Sequence, residues 1–331
     1  MFPEIMFFGA PASSYWLCML AGFIAVLISA LLLRPKEFPA RYVFWLVIIL
    51  FVFSIIGAVL FGILLKAIAH PGWGLKDILM ISGLAYLGAP VLGLIAVWIY
   101  CRAIKISFLM VADYAAPFLM LERVFGRLGC LLHGCCYGVR SGLPWAYPFF
   151  STSPGHPTQA YELSIVLAVL ISSVYLYRKI ADISRAKLPA DPANMNIEEM
   201  KRLTREAPSA GIVLFYVILA YSSLRFFNEF FRAEGPFLYG PVKVSHLVLI
   251  LFAVISIIGL FDVIRRSSRK EEIIKALKGS VVRLFAWLVI WLVVILTLIT
   301  IYNRSHPPAP QYVPPTGFTI PAAIRLSTVA P

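Results

Sequence analysis

The chain has 331 residues, of which 60% are hydrophobic and only 14% are charged, and its mean hydropathy is +0.86. These values exclude an ordinary soluble domain and indicate an integral membrane protein. Lysine and arginine outnumber aspartate and glutamate by 29 to 16, which gives a net charge of +13. In a membrane protein such an excess reports orientation in the bilayer rather than nucleic-acid binding.

Apolar stretches of about 20 residues, each long enough to cross roughly 30 Å of hydrocarbon, predict eight transmembrane helices and therefore an all-α helical bundle. The predicted spans are Tyr15–Leu33, Tyr42–Leu65, Ile81–Cys101, Phe108–Leu132, Gln159–Tyr177, Ala210–Phe231, Val244–Ile264 and Val282–Tyr302. The fourth span contains charged residues and a proline, so we expect this helix to end or break at membrane depth. These residues are Asp113, Pro117, Glu122, Arg123 and Arg127.

Basic residues are concentrated in alternate loops. The connections after the first, third, fifth and seventh spans hold 3, 2, 7 and 7 of the 29 lysines and arginines, which predicts that these loops are cytoplasmic. Both termini and the segment from Leu132 to Pro157 are then expected on the outer side. Within the cytoplasmic loops, Asn196–Arg205 and Lys270–Lys278 predict amphipathic helices on the membrane surface, with solvated linkers as the alternative. The proline-rich segment from Asn303 is expected to be extended.

A cysteine-rich motif, GRLGCLLHGCCYG, occupies residues 126–138 at the outer end of the fourth span. Zinc or haem ligation by Cys130, His133, Cys135 and Cys136 is disfavoured, because adjacent cysteines chelate one ion poorly and no CxxC spacing exists. A thiol redox function fits the oxidising outer side but lacks the same motif. A disulfide between Cys130 and Cys135 remains compatible with any function.

The sixth span carries three charged residues on one face. Arg225, Glu229 and Arg232 are spaced at i, i+4 and i+7, and two arginines against one carboxylate leave a positive charge facing the bundle interior. Glu229 could simply neutralise its neighbours. The surplus charge, however, favours an anion-binding site, to which Arg127 could contribute, because guanidinium groups suit phosphate oxygens. A lipid or anion transport path is an alternative, although no paired broken helices are apparent.

The segment GHPTQAYE, residues 155–162, opens the fifth span. Pro157 and Thr158 are typical of the first turn of a helix. His156, Gln159, Tyr161 and Glu162 together are costly at a membrane interface unless they bind one another or a ligand. They therefore indicate either a mutually hydrogen-bonded group or a ligand site.

Taken in chain order, Ser14-Tyr15, the glycine motif, HPTQAYE and LRFFNEFFR resemble the prolipoprotein diacylglyceryl transferase family from about residue 10 to residue 266. The resemblance implies a seven-helix membrane domain over residues 1–266. Residues 267–302, an amphipathic segment with an eighth helix, and residues 303–331, an extracytoplasmic tail, are then additions.

The same resemblance implies an enzyme of the bacterial inner membrane with phosphatidylglycerol, or another anionic phospholipid, and a lipoprotein precursor as partners. It would transfer a diacylglyceryl group to the lipobox cysteine thiol and release glycerol phosphate, without a cofactor or nucleic acid. The implied phosphate-side arginines are Arg127 and Arg225, and His133 or His156 could act as the base. The expected substrate-binding residues are Tyr15, Cys135, Cys136, Gly138, Gln159, Tyr161, Glu162, Glu229 and Arg232.

Several positions depart from the family pattern. Cys130 replaces an asparagine, Cys135 and Cys136 replace a glutamate and a leucine, and Leu87 lies near a histidine proposed as general base. The chain is therefore interpreted as a divergent branch, for which the acceptor could be another lipid or a small molecule, or a membrane thiol redox function could apply. A thiol of Cys135 near Arg127 is expected to ionise and to replace the missing carboxylate.

Overall fold

The computed structural model describes residues 4–7, 10–34, 39–69, 88–147, 154–185, 210–233, 237–239 and 242–305. These residues form a bundle of long helices, as the composition predicts. The helices are α1 (Ser14–Leu32), α2 (Ala40–Ala69), α3 (Gly88–Ala103), α4 (Phe108–His133), α5 (Thr158–Arg185), α6 (Ile212–Phe231), α7 (Val244–Arg266) and α8 (Lys270–Ser305).

Two short antiparallel ribbons precede helices at one end of the bundle. Strand β1 (Glu4–Phe7) pairs with β2 (Ala10–Ser13) directly before α1, and β3 (Phe237–Tyr239) pairs with β4 (Val242–Lys243) directly before α7. Six of the described helices, α1, α2, α5, α6, α7 and α8, are long and apolar enough to span a membrane. The predicted all-α membrane architecture is confirmed.

Helix α4 lies at the centre of the bundle, in contact with α1, α5 and α6. It runs without interruption for 26 residues with Pro117 inside it, so the predicted break at membrane depth was wrong. Prolines are tolerated in transmembrane helices whose neighbours bury the disturbed turn. Gly129 allows α1 to approach closely, because a Cβ at this position would lie 3.1 Å from the Cβ of Cys18.

The buried charge of Asp113 has a structural role. Its two carboxylate oxygens accept hydrogen bonds from the backbone N–H groups of Gly211 (2.7 Å) and Leu214 (2.8 Å) at the start of α6. A carboxylate at a helix N-terminus satisfies free N–H groups and complements the helix dipole. Asp113 therefore joins α4 to α6 without breaking α4.

The main hydrophobic core is shared by α4, α5, α6, α7 and α8, with Ala116, Val169 and Val213 fully buried in it. Helix α8 packs along α5, and Ile273 near its start is buried in the same core. The predicted surface helix over Lys270–Lys278 was therefore wrong, since this segment forms the first turns of a continuous 36-residue helix. A second core joins α1, α2, α3 and α4.

Some predictions fall outside the described residues. They concern Leu87, the first seven residues of the third predicted span, the amphipathic segment Asn196–Arg205, and residues 306–331 of the proline-rich tail.

Candidate active site

Glu162 is the centre of a buried ion cluster. Its carboxylate is fully buried and lies 2.8 Å from Arg127 Nη2, 2.6 Å from Arg225 Nη1 and 3.1 Å from Arg123 Nη2. Tyr221 donates its hydroxyl proton to Glu162 Oε1 at 2.6 Å and also contacts Arg123. Three helices, α4, α5 and α6, thus bring three guanidinium groups onto one carboxylate.

A second cluster surrounds Glu229. Its Oε2 lies 2.7 Å from Arg225 Nη2, and its Oε1 lies 3.8 Å from Arg232 Nε and 3.9 Å from Lys243 Nζ. The buried ammonium group of Lys243 also donates to the backbone oxygens of Glu229 (3.0 Å) and Arg232 (2.6 Å). Lys243 therefore holds the end of α6, where free carbonyl groups favour a cation.

The two clusters share Arg225 and form one polar region. Among the described residues, it contains five cations and three carboxylates, so the positive excess predicted for its interior is confirmed and is larger than α6 alone indicates. An isolated buried charge is costly, and each of these groups is retained next to opposite charges. The cations are Arg123, Arg127, Arg225, Arg232 and Lys243, and the carboxylates are Glu122, Glu162 and Glu229.

Gly138 connects the end of α6 to the segment before α5. Its N–H donates to His156 O at 2.9 Å, and the N–H of Val139 donates to Phe231 O at 2.8 Å. A Cβ on Gly138 would lie 2.5 Å from Phe231 O and 2.7 Å from His156 O, a space that no side chain fits. The glycine that closes the motif is thus required by close backbone packing; its predicted substrate contact is not tested by this geometry.

His156 and Tyr161 form a small polar group beside this connection. Tyr161 Oη lies 3.0 Å from His156 Nδ1 and accepts a hydrogen bond from Trp145 Nε1 at 2.9 Å. The ring of His156 also packs on Phe231, with 4.9 Å between ring centroids. Burial lowers the pKa of His156 below its usual value, so its neutral form is favoured. His133, the other candidate base, is the last residue of α4 and is half-buried.

The three cysteines of the motif come together at the C-terminal end of α4. All five cysteines of the chain are free thiols, so the disulfide hypothesis for Cys130 and Cys135 is not supported by the structure. The sulfurs of Cys130, Cys135 and Cys136 lie within 4.8 Å of one another. The two adjacent cysteines therefore face one centre, which the sequence spacing alone did not indicate.

The electrostatics of this group single out Cys136. Hydrogen bonds from the thiols of Cys130 and Cys135, together with the nearby charges of Arg232 and Arg127, lower the pKa of Cys136. The same hydrogen bonding raises the pKa of Cys135. A lowered thiol pKa was predicted for Cys135, whereas in the structure the thiol whose pKa is lowered is that of Cys136. Five cations against three carboxylates leave a positive excess even when Cys136 is counted as a thiolate.

The remaining predicted residues lie around the cysteines. Gln159 donates through Nε2 to Cys135 O at 2.6 Å, and Thr158 donates through Oγ1 to Cys136 O at 2.7 Å. Tyr15, near the start of α1, lies against Gly129, and a Cβ on that glycine would be 3.3 Å from the tyrosine ring. The structure thus brings the predicted residues of α1, α4, α5 and α6 to one end of the bundle.

Several contributing residues were not predicted as site residues. Arg123 lies four residues before Arg127, a helical spacing that could have indicated a shared face. Tyr221 lies four residues before Arg225 in the same way. Asn228 donates to Thr158 O at 3.2 Å, and Lys243 reaches the site from β4. No spacing in the sequence relates Lys243 to Glu229, because the β3–β4 ribbon brings Lys243 back to the end of α6.

Comparison with known proteins identifies the family of this chain. A family model described as prolipoprotein diacylglyceryl transferase matches residues 3–262. The phosphatidylglycerol–prolipoprotein diacylglyceryl transferase of Gloeobacter violaceus is 29% identical over 269 residues, which cover 78% of this chain and 90% of the relative.

Two other relatives with the same name match shorter regions. The protein of Dehalococcoides mccartyi is 28% identical over 180 residues, which cover 52% of this chain and 59% of the relative. That of Legionella pneumophila is 33% identical over 124 residues, 37% of this chain and 48% of the relative. Because the family model spans most of the chain, including both ion clusters and the cysteine motif, the chain belongs to the prolipoprotein diacylglyceryl transferase family and is a membrane-embedded transferase.

Proposed function

We propose that the protein transfers a diacylglyceryl group from phosphatidylglycerol to the lipobox cysteine of a lipoprotein precursor. The single observation that carries the proposal is the excess of buried guanidinium groups around Glu162, which suits an anionic phospholipid headgroup. The printed name of the relatives, phosphatidylglycerol–prolipoprotein diacylglyceryl transferase, supports the same donor and acceptor.

Arg127 and Arg225 are the proposed phosphate ligands. Arg127 uses Nη2 for Glu162, whereas its Nη1 lies 3.8 Å from Cys130 Sγ, and a thiol is a weak acceptor. A phosphate oxygen would be a much stronger acceptor for this nitrogen. Arg225 is held between Glu162 and Glu229, which fixes the plane of its guanidinium group. Glu162, Glu229 and Arg232 then position the two ligands.

The headgroup of phosphatidylglycerol also carries hydroxyl groups, which need acceptors. Gln159 Oε1 and Asn228 Oδ1 are buried, and neither has a hydrogen-bond partner among the described residues. Thr158 connects them, since its carbonyl binds the amide of Asn228 and it precedes Gln159 in α5. We infer that these amide oxygens accept hydrogen bonds from the glycerol hydroxyls, because an unsatisfied buried polar group is otherwise costly.

The proposed reaction is a substitution at the glyceryl carbon that bears the phosphate. The acceptor sulfur forms a C–S bond with this carbon, the C–O bond to phosphate breaks, and its electron pair leaves with glycerol phosphate. Positive charge from Arg127 and Arg225 stabilises the leaving phosphate as the bond breaks. The thiol proton passes to a base.

His156 is the proposed base. In the tautomer that carries its proton on Nδ1, the imidazole donates to Tyr161 Oη, and the lone pair of Nε2 is available to accept the thiol proton. Trp145 holds Tyr161 in place from the opposite side. His133 is the second candidate, at the end of α4.

The orientation proposed from the basic loops places this end of the bundle outside the cytoplasm. A lipoprotein precursor emerging on the outer side would then meet the site directly. We propose that both termini lie on this side and that residues 267–302 and 303–331 are additions to the transferase domain.

The test is complementation. Bacterial cells depleted of their own transferase should regain lipid-modified lipoprotein when they express this chain, detected as a mobility shift and by incorporation of labelled phosphatidylglycerol. Equal membrane expression of the protein is verified by immunoblot. Full membrane expression without any modified lipoprotein would contradict the proposed acceptor.

A further inference from the structure

Three sulfur atoms converge beside the proposed phosphate site, and the proposed substitution step uses none of them. The Sγ atoms of Cys130, Cys135 and Cys136 lie within 4.8 Å of one another, with Cys130 buried and the other two half-buried. Cys130 belongs to the last turn of α4, while Cys135 and Cys136 follow the helix. This arrangement brings together residues from a rigid element and from the connection after it.

The backbone is specially shaped to bring the adjacent cysteines together. Cys136 has φ of +63°, in the left-handed region that residues with a side chain rarely adopt. Such a conformation costs on the order of 1–3 kcal/mol and is found mainly where the surrounding structure enforces it. Here it turns the Cys136 thiol toward the same centre as the Cys135 thiol.

Hydrogen bonds from α5 hold this conformation. The Thr158 hydroxyl binds Cys136 O at 2.7 Å, and the Gln159 amide binds Cys135 O at 2.6 Å. Both side chains are fully buried at the start of α5. The positions of the two sulfurs are therefore fixed by the fold, which lowers the entropic cost of binding a ligand between them.

The charges around the sulfurs suit a metal thiolate. Arg127 Nη1 lies 3.8 Å from Cys130 Sγ, and Arg232 forms a hydrogen bond with Cys136. A divalent ion with three thiolates carries a net charge of −1, which these two arginines can neutralise. N–H donors to coordinated groups are the usual outer-shell partners of protein metal sites.

We propose that Cys130, Cys135 and Cys136 bind one thiophilic metal ion of the Zn²⁺ class, with a fourth coordination position open. Thiolates select soft or borderline ions such as Zn²⁺ and Cu⁺ over Mg²⁺ and Ca²⁺. With a Zn–S distance of about 2.3 Å, tetrahedral geometry requires sulfurs about 3.8 Å apart. Rotation of the side chains that moves each sulfur by about 1 Å or less brings the three sulfurs to that spacing. Binding of the ion releases three thiol protons.

Cobalt titration of the full-length protein tests the site. The protein, purified in mild detergent and fully reduced, is titrated with Co²⁺, and the sulfur-to-cobalt charge-transfer absorption is recorded. We expect saturation at one equivalent and displacement by one equivalent of Zn²⁺. Cys130→Ser, Cys135→Ser and Cys136→Ser should each abolish the band, and Arg127→Gln should weaken Zn²⁺ binding by about 10- to 100-fold.

Cys18→Ser is the matched control, because Cys18 is a free thiol in α1 outside the group. It should keep the full absorption band. Elution volume and thermal unfolding of each variant verify folding, and Zn²⁺ should protect three thiols of the folded wild type from maleimide. A folded, reduced protein without the band, or a band that persists in Cys136→Ser, would overturn the proposal. Neither result depends on transfer activity, so the proposed metal site can be refuted without refuting the proposed function, and the reverse also holds.

Discussion

At the scale of single residues, the buried arginines are retained because nearby carboxylates offset the free-energy cost of burying their charge. A charge at the centre of a membrane helix costs about 2.5–3.5 kcal/mol on insertion scales. Glu162 offsets this cost for three arginines at once, and Arg225 also binds Glu229. Carboxylates are nevertheless outnumbered, and the remaining positive charge is what an anionic lipid would neutralise.

Replacement of Arg225 tests the role of this excess charge. We expect Arg225→Gln to reduce transfer from phosphatidylglycerol by about 100- to 1,000-fold, because one cation no longer stabilises the leaving phosphate. Arg225→Lys should recover little activity, since an ammonium group cannot bind two acceptors in one plane. The measurement is the initial rate in detergent with labelled lipid.

Arg266→Gln provides the control. Arg266 is exposed, and its ion pair among the described residues is with Asp262, four residues earlier in α7. Its rate should equal that of the wild type. Full activity in a folded Arg225→Gln variant would refute the assignment of Arg225 as a phosphate ligand.

His156 predicts a specific pH dependence. Burial lowers its pKa, so the neutral imidazole persists to below the ordinary value of about 6.5 and the transfer rate should fall only as pH drops beneath that value. Because the unfolded chain binds this proton more readily, protonation also destabilises the fold as pH falls through the same range. A pH–rate profile combined with thermal unfolding separates the two effects.

His156→Gln should remove the acidic limb and lower the rate at neutral pH. If the acidic limb of the pH–rate profile were unchanged in this variant, another group would be the base. His133→Gln would then be the next variant to measure.

Sequence spacing predicted only part of the site. The charged face of α6 follows directly from helical periodicity, and Arg225, Glu229 and Arg232 indeed share one region. The thiol whose pKa is lowered is that of Cys136 rather than Cys135, because the left-handed backbone conformation of Cys136 is not evident from the sequence. Lys243 was missed because its position depends on the turn between α6 and α7.

At the scale of elements, the site depends on the connection that joins α4, α5 and α6. Gly138 lies where three backbone segments meet, and Gly138→Ala would place a methyl group 2.5 Å from Phe231 O. We expect this change to destabilise the fold by about 1–3 kcal/mol and to displace His156, with a lower unfolding temperature and loss of transfer.

Gly142→Ala is the matched control in the same connection, because a Cβ there meets nothing within 4 Å. It should leave the unfolding temperature and the transfer rate unchanged. Equal behaviour of the two variants would show that the close packing at Gly138 is not needed.

Helix α8 is bound to the bundle by its first turns. Ile273→Ala should lower the free energy of unfolding by about 2 kcal/mol, because Ile273 is completely buried in the main core. Ile274→Ala removes the same atoms from a residue that is 39% exposed and should change stability by less than about 0.5 kcal/mol. Thermal unfolding in detergent compares them, and equal effects would contradict the packing of α8 on α5.

The positions and order of the helices could be predicted from the sequence, but the points at which helices break or continue could not. Apolar length identified the spans, since every described helix overlaps one predicted stretch. The break expected in α4 did not occur, because Asp113 is satisfied by the start of α6, and Arg123 and Arg127 pair with Glu162 of α5. The long α8 was divided incorrectly, because its charged first turns resemble a surface helix although Ile273 faces α5.

At the scale of the whole molecule, apolar helices surround one polar region, and the outer faces of α7 and α8 are rich in exposed isoleucine, valine and phenylalanine. Such faces suit lipid, and the polar region at one end suits a headgroup drawn from the same membrane. The orientation proposed from the basic residues of the connecting loops would place this end of the bundle on the outer side.

The proposed reaction joins a lipid-derived glyceryl carbon to a cysteine thiol. The direct measurement reconstitutes the purified protein in phosphatidylglycerol vesicles with a lipobox peptide and analyses the products by mass spectrometry. We expect the peptide to gain one diacylglyceryl group on its cysteine, with equimolar release of glycerol phosphate. Neither product should form with a Cys→Ala peptide or with the Arg225→Gln variant. An unmodified peptide in the presence of folded wild-type protein and intact lipid would contradict the proposed reaction.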